Sequence, residues 1–510
     1  MDISKELYSD EIHIGASPEN FNSTCMGLHR SLKSPVMMMF AEDDRAARGV
    51  FVIRCVFMDI KNRKWHFVNM DIDKDAPRFN SLAKDIYSAS LFEREIKEMF
   101  GIEPAGNPDL RRLHLHDEVW PDGNYPLRKD FTFFEGDNAR ADYKFRKIEG
   151  EGVFEVPVGP VHAGIIGPGH FRFSVAGEPI INMETRLGFT HRGVEKLFEG
   201  KNAAEGLILA EHVSGDSVVA HSMAFSKAVE KIYEAAVPDH VLAQRVIFLE
   251  LERMYNHAAD IGGIAIDVGF SFPSMYASLI KESILALNHK ISKSRYAKGF
   301  NRIGGTAFML SEEDRASLKA SLGKITKDLE ELKKMLFSSV SFMDRVDSTG
   351  ILKKKTAEDI GVVGLAARAS GIVMDLRKDF PGIYGKVDFN LVKQAAGDVL
   401  ARLNMRVEEF AESARIIEQM LLILEHCSRK KTADKIEVKG GCAIGYAEGW
   451  RGPVLYWVKL DPKGTIERCK IVDPSFHNWQ ALSFAVIGNI IPDFPLCNKS
   501  FDLSYSGNDL

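Results

Sequence analysis

The chain has 510 residues, 45% hydrophobic and 27% charged, with a formal net charge of −5. That is ordinary globular composition, too long for a single core, so several domains are expected. The mild acidity excludes the basic footprint of a nucleic-acid binder and the polybasic tail of a lipid-surface binder.

No apolar run reaches the roughly 18 residues of a spanning helix. The most apolar stretch, 481–491, is short and is closed by Pro492 and Asp493. The N-terminal run MDISKELYSDE lacks a signal-peptide core, so a cytoplasmic location without a direct membrane span is expected. Cys25, Cys55, Cys427, Cys442, Cys469 and Cys497 form no C-x-x-C pair. They are expected to be isolated, mostly buried thiols rather than a disulfide framework or a zinc or iron–sulfur set.

In chain order, 36–40 (VMMMF) and 49–59 (GVFVIRCVFMD) read as strands. A charged turn at 61–64 leads to a third strand over 65–70, which predicts a hairpin. A helix is predicted over 83–100, stopped by Gly101 and Pro104. Residues 104–130 are dense in Pro, Gly, Asp and Arg and read as an extended, ordered loop. The first domain is therefore α/β and covers 1–135, with a polar linker over 136–152.

Residues 153–510 read as a mainly helical bundle flanked by β-hairpins, which makes the whole chain α+β and multidomain. Ile247, Leu251, Met254 and Ala258 mark one helix face. Leu318, Leu322, Ile325, Leu329, Leu332 and Leu336 mark a second helix, with Ser311 and Asp314 as its cap. Leu403, Val407, Phe410, Ala414, Ile417 and Leu421 mark a third. Glycine-rich β segments at 153–173 and 439–473 bracket these three helices. There is no P-loop and no G-x-G-x-x-G after a strand, hence no sign of direct nucleotide binding.

Two sets of motifs carry a family resemblance. The first is SLFEREIKEMFGIEPAGNPDLRRLHLHDEVWPDGNYPLRKDF at 90–131, with Glu93, Arg94, Glu95 and Glu98 close together on one helix. It resembles the 30 kDa subunit of respiratory complex I. The second set comprises GPVHAGIIGPGHFRF (159–173), INMETRLGFTHRGVEKLFEGK (181–201), LELERMYNHAADIGGIAIDVGF (249–270), GVVGLAARASGIVMDLRKDFP (361–381) and NKSFDLSYSGNDL (498–510). These blocks resemble the large subunit of group 4 nickel–iron (NiFe) hydrogenases and its complex I 49 kDa relative. Both modules in one chain match the fused, formate hydrogenlyase-like form of that family.

The resemblance implies a NiFe-hydrogenase large-subunit fold in a membrane-associated, energy-converting complex. Expected partners are a small iron–sulfur cluster subunit and antiporter-like membrane subunits, holding this chain peripherally on the inner face of the cell membrane. Glu93, Arg94, Glu95, Arg111 and Arg112 are expected to dock a partner, and Arg192 and Glu195 to anchor the iron–sulfur subunit.

In the hydrogenases, two C-x-x-C motifs hold nickel and iron through four thiolates. Here those positions are Ser214, Ser217, Ser504 and Gly507. Hydroxyls are harder donors with far higher pKa values than thiols, and glycine supplies no ligand, so no NiFe centre is expected. Complex I relatives lack the cysteines too and use the space for a quinone, flanked by a loop histidine with a paired aspartate and by a tyrosine. His170 and Asp267 fall at the histidine and aspartate positions, and His212 stands where the tyrosine would. The leading expectation is an oxidoreductase subunit that passes electrons from the partner's cluster to a quinone-like acceptor, without hydrogenase activity. The alternatives are a non-catalytic coupling scaffold and, as a minor one, a true NiFe hydrogenase. Structural roles are expected for His162, His191 and His257, and a buried ion pair for Arg368 and Asp375.

Overall fold

The computed structural model describes residues 4–133, 142–163, 166–426 and 436–510. The first unit is built on a five-stranded sheet. Its strands are β1 (Ser4–Tyr8), β2 (Glu11–Ala16), β3 (Met38–Asp44), β4 (Val50–Asp59) and β5 (Lys64–Asp73), in the order β1-β2-β5-β4-β3. β4 and β5 form the expected hairpin, with Asp59 opposite Lys64. Only the β2–β5 pair is parallel. The apolar run at 36–40 is continuous because the sheet is covered on both faces. Helix α1 (Phe21–Leu32) packs on β4 and β5, and helix α2 (Ser90–Phe100) packs on β3. Rings of the second unit are part of the same core. Trp457 lies 4.8 Å from Phe40, and Phe380 stacks on Trp65 at 5.1 Å.

α2 is shorter than the helix predicted over 83–100. The Glu93 carboxylate reaches back to accept from the Ser81 hydroxyl (2.5 Å) and the Leu82 amide (2.6 Å), which holds 81–89 in turns. Gly101, at φ 67°, ends the helix as expected, its amide donating to the Lys97 carbonyl.

The residues expected to dock another subunit also make extensive contacts inside the chain. The Arg94 guanidinium donates to the Arg111 and Arg112 carbonyls (2.8 and 2.9 Å). Glu98 accepts the Leu113 and His114 amides (2.8 and 2.9 Å), so the loop after α2 is sewn onto the helix. Arg112 pairs with Asp117 at 3.1 Å and also with Asp122. Others of the set meet residues of the second half of the chain. Buried Glu95 meets Lys470 at 2.5 Å, and buried Glu195 meets Lys470 (3.0 Å) and Arg468 (2.7 Å). Arg111 meets Glu184 at 2.5 Å. The described part of the predicted linker is also tied down, with the Tyr143 hydroxyl donating to Glu184 at 2.8 Å.

The second unit opens with an antiparallel sheet of β6 (Val153–Val158), β7 (His170–Ala176) and β8 (Ile180–Arg186), in the order β8-β7-β6. Helices α3 (Ala203–Ala210) and α4 (Val218–Ile232) follow. Four long helices then form the bundle: α5 (Asp239–Asp267), α6 (Ser271–Ser292), α7 (Glu312–Phe337) and α8 (Val399–His426). α5 packs on both α6 and α8, and α7 closes the ring against α6 and α8. The six leucine and isoleucine positions predicted on α7 are all buried, and Ser311 and Asp314 form the predicted capping box. A second antiparallel sheet, β9 (Gly441–Glu448), β10 (Pro453–Leu460) and β11 (Ile466–Val472), packs on α4 and faces the first unit. Helices α9 (Pro474–Ala485) and α10 (Phe494–Phe501) lead to the C-terminal loop. No helix among the described residues is long and apolar enough to cross a membrane. Cys25, Cys55, Cys469 and Cys497 are buried free thiols and Cys442 is partly buried, while Cys427 lies outside the described residues.

Lys470 is the cation that two buried carboxylates of the unit interface share. Lys470→Met leaves Glu95 and Glu195 facing each other with only Arg468 nearby. It is expected to cost about 3–5 kcal/mol, read as a lower midpoint in chemical unfolding. Adding Glu95→Gln to that variant recovers part of the loss.

Candidate functional site

Two loops 290 residues apart in sequence meet beside the bundle. The first, 211–217, joins α3 to α4, and the second, 502–508, follows α10. All four positions expected to be vacated metal sites lie on these loops. The Ser214 and Ser504 hydroxyls are hydrogen-bonded to each other at 2.9 Å. Ser504 Oγ also accepts the Gly507 amide (2.9 Å) and so caps the final turn of the chain. Ser217 Oγ accepts from the Trp450 indole at 3.1 Å. Gly507 faces the Asp473 carboxylate so closely that a Cβ there would sit 2.6 Å from its carbon.

This donor set does not fit a nickel–iron pair. Two hydroxyls engage each other, a third is taken by an indole, and the fourth position has no room for a side chain. No sulfur is offered, and soft metals select thiolates. Among the described residues no cluster of three or more His, Cys, Asp or Glu is suited to a metal ion.

A charged network surrounds the serines. Arg451 makes a bidentate pair with Asp216 (2.7 and 2.9 Å), donates to the Asp502 carbonyl, and lies 3.5 Å from the Asp502 carboxylate. Asp502 is also paired with Lys499 at 2.7 Å, and Asp260 on α5 with Arg406 on α8 at 2.7 Å. Asp216 in turn accepts from Ser214 (2.8 Å) and Ser217 (3.2 Å).

The four acids of this region divide into two kinds. Burial alone raises Asp216 and Asp502, but Arg451 on the first and Lys499 with Arg451 on the second pull both below the usual carboxylate range. Burial raises Asp260 well above that range, and the neighbouring Asp502 charge adds to the rise. Asp260 and Asp502 face each other, and their carboxyls are pushed in opposite directions, Asp260 up and Asp502 down. Burial likewise pushes Glu252 up to about 8, although it accepts the Val219 and Ala220 amides at 2.7 and 3.1 Å. The site therefore sets carboxyls that burial raises beside carboxyls that fixed cations hold low.

The acceptor-site residues named from sequence lie around this network but do not assemble as expected. His170, at the start of β7, bonds the Gly159 carbonyl through Nδ1 (3.2 Å) and takes a long contact from Arg172 (3.4 Å). Burial lowers its pKa below the ordinary histidine value. It makes no hydrogen bond to Asp267, which ends α5 at the surface near Lys499. His212 is exposed and bonds the Ile208 carbonyl of the preceding helix at 2.7 Å. Arg192 donates to the His212 and Val213 carbonyls (3.1 and 3.0 Å), so it braces the first serine loop.

Two of the three histidines expected to be structural have side-chain partners inside the chain, while the buried Nδ1 atoms of His191 and His257 have none. His162 bonds the Gly169 carbonyl (2.7 Å), and His257 bonds Glu409 (3.0 Å) in the core. Arg368 and Asp375 form the expected buried pair (3.3 Å), extended by Glu409 and Glu448.

Several functional candidates had no sequence signal. Asp216 and Asp502 sit within the serine motifs, but Arg451, Asp260 and Arg406 come from three distant segments. Tyr505 is a further one. Its ring lies against Gly167 and Gly169, where any Cβ would meet it at 2.6–2.7 Å, on the loop that leads to His170.

Fold and site together define a core subunit of the complex I and group 4 hydrogenase class. Residues 14–136 match the family "Respiratory-chain NADH dehydrogenase, 30 Kd subunit", and 267–439 match the corresponding "49 Kd subunit". Formate hydrogenlyase subunit 5 of Escherichia coli K12 is 31% identical over 486 residues, 92% of this chain and 84% of that one. Hydrogenase-4 component G of the same strain is 30% identical, with 92% and 83% covered. The carbon monoxide-induced hydrogenase of Rhodospirillum rubrum is 29% identical over 351 residues, 68% of this chain and 97% of that one. In fold, a chain of the membrane-bound sulfane sulfur reductase, an archaeal respiratory membrane complex, superposes with a TM-score of 0.66 at 23% identity, over 71% of this chain and 99% of that one. The chain belongs to the family of fused 30 kDa and 49 kDa complex I-like subunits that includes the two Escherichia coli components.

Removing the central cation tests the network. Arg451→Met leaves Asp216 and Asp502 close together without their cation, and because Asp216 is partly exposed the expected cost is about 1.5–3 kcal/mol. The pH dependence follows from the sign of the shifts. Carboxylates depressed in the fold contribute stability that is present above their unfolded value of about 4 and is lost as pH falls through and below it. Thermal unfolding across the acid range should show a shallower acid-side loss in Arg451→Met than in the parent.

Proposed function

We propose that the chain is the coupling core of a membrane-bound, energy-converting redox complex and that it performs no nickel–iron chemistry. The observation that carries this reading is the direct 2.9 Å bond between Ser214 and Ser504, which closes the place where opposed thiolates would hold two metals. In this reading electrons arrive from an iron–sulfur cluster on a small partner subunit. The chain's own contribution is the carboxyl pair of Asp260 and Asp502, set between Lys499 and Arg406. A change of charge at a neighbouring redox group shifts the protonation of that pair, and antiporter-like membrane subunits on the inner face of the cell membrane receive the effect.

A second reading, electron transfer to a quinone-like acceptor, has one observation in its favour. Tyr505 brings a phenol beside the loop that carries His170, from a position unlike the one where His212 stands. The Tyr505 phenol offers a donor to one oxygen of a quinone head group.

Elemental analysis of the purified complex, with a hydrogen-uptake assay, tests the shared premise. The expected result is no nickel assigned to this subunit and no hydrogen turnover, and stoichiometric nickel on this chain overturns both readings. Asp260→Asn then separates them. It should lower ion transport per electron by at least about tenfold while electron flow continues. If Tyr505→Phe and His170→Ala instead abolish quinone-analogue reduction, the acceptor reading replaces the coupling one.

A further inference from the structure

Away from the serine loops, a second cavity lies between the two units. Its outer part, about 990 Å³, opens to solvent past Asp10, Arg63 and Glu234. An inner part of about 100 Å³ continues from it. The two parts share Lys227, Phe380, Pro381, Gly382 and Tyr446, so Lys227 stands at the neck. Its ammonium lies over the Tyr446 ring, 4.9 Å from the centroid. Tyr446 is itself held by Phe380 (5.3 Å) and Trp65 (5.4 Å), which makes the neck wall aromatic and rigid.

The charges around the neck are already matched, apart from Lys227. Asp10 is paired with Lys231 (2.8 Å), Glu230 with Arg245 (2.5 Å), and Glu234 with Lys439 (2.7 Å). At the inner end Glu448 is paired with Arg368 (3.1 Å), Arg377 with Asp375 (2.8 Å), and the Tyr384 hydroxyl donates to Glu250 (2.6 Å). No side chain or carbonyl among the described residues bonds the Lys227 ammonium, and Arg63 at the mouth is likewise without an acid. The rest of the inner wall is apolar: Met223, Leu242, Leu249, Leu376, Phe380 and Ile383. The Lys227 side chain is half-buried and its ammonium faces the cavity without an acid of its own, so an anion at the neck supplies the missing counter-charge. Burial and the nearby Arg245 charge also push this lysine down to about 8.

We propose that Lys227 anchors a small-molecule site for a short-chain organic carboxylate, with the carboxylate on the ammonium at the neck and the apolar tail in the inner cavity. The inner volume admits a tail of a few carbons and excludes a long one. The aromatic cation–π contact keeps the ammonium at the neck when the site is empty.

Competitive acetylation of the purified complex with acetic anhydride, read by peptide mass spectrometry, tests this. Exposed Lys319 serves as the internal reference. Butyrate at a few times its dissociation constant should slow Lys227 labelling about fivefold and leave Lys319 unchanged, with octanoate weaker. Leu242→Trp, which fills the inner cavity, should abolish the protection while the unprotected Lys227 rate stays the same. Three results overturn the proposal: no protection by butyrate at any concentration, equal protection by phosphate or chloride, or a Lys227 that reacts in the isolated chain but is already shielded in the complex without ligand. The last would mean that a partner's acidic side chain fills the neck. The wild-type labelling result stands whether or not the variant folds.

Discussion

Arg451 is the group on which the two serine loops depend. One guanidinium binds Asp216 of the first loop in a fork and Asp502 of the second through both its carbonyl and its carboxylate. Segments separated by most of the second unit are thereby fixed within one hydrogen bond of each other. The serine contact follows from that clamp, since Ser214 and Ser504 are close only while the loops are. Arginine suits the task because its planar fork satisfies a carboxylate in two places and keeps its charge at any accessible pH. Where the hydrogenase pattern would join such loops through metal–thiolate bonds, an ion pair makes the join here.

The same logic holds at the junction of the two units. Lys470 lies between Glu95 of the first unit and Glu195 of the second, on a strand whose neighbours interleave their rings with the first sheet. Glu95 and Arg111, from the stretch that resembles a docking surface, reach residues of the second unit of the same chain. Fusion turns a contact between two proteins into an interior one, and its charges then behave as buried pairs, where loss of one partner costs far more than at a surface.

Much of this was legible in the sequence, and the exceptions have physical reasons. The α7 stripe was clear because its six apolar positions all face inward and its cap is local. α6 was not identified, because Phe272, Met275 and Leu279 point outward and blur the apolar face set by Ala277, Ile280 and Ile284. The serines were found from motif spacing, since they lie at fixed offsets within short segments. Arg451, Asp260 and Arg406 could not be found that way. They reach the site from a turn between strands and from two helices, and only the packing of α5 on α8 brings the last two together. Pairing of His170 with Asp267 was inferred from family positions, but a carbonyl of its own neighbouring loop takes the histidine instead.

The character of the closed site bears on what it is for. A binding site that had only lost its metal would be stable if filled with apolar side chains, because replacing buried ions by hydrophobic groups of similar size is commonly neutral or stabilising. This site is filled instead with Asp216, Asp502, Asp260, Arg451, Arg406 and Lys499, and Glu252 lies close by. Stability alone does not account for such a set. What the set does provide is two carboxyls held low by neighbouring cations, beside Asp260 and Glu252, whose carboxyls burial raises. Carboxyls tuned in opposite directions between fixed cations respond to a nearby change of charge, as an apolar plug does not.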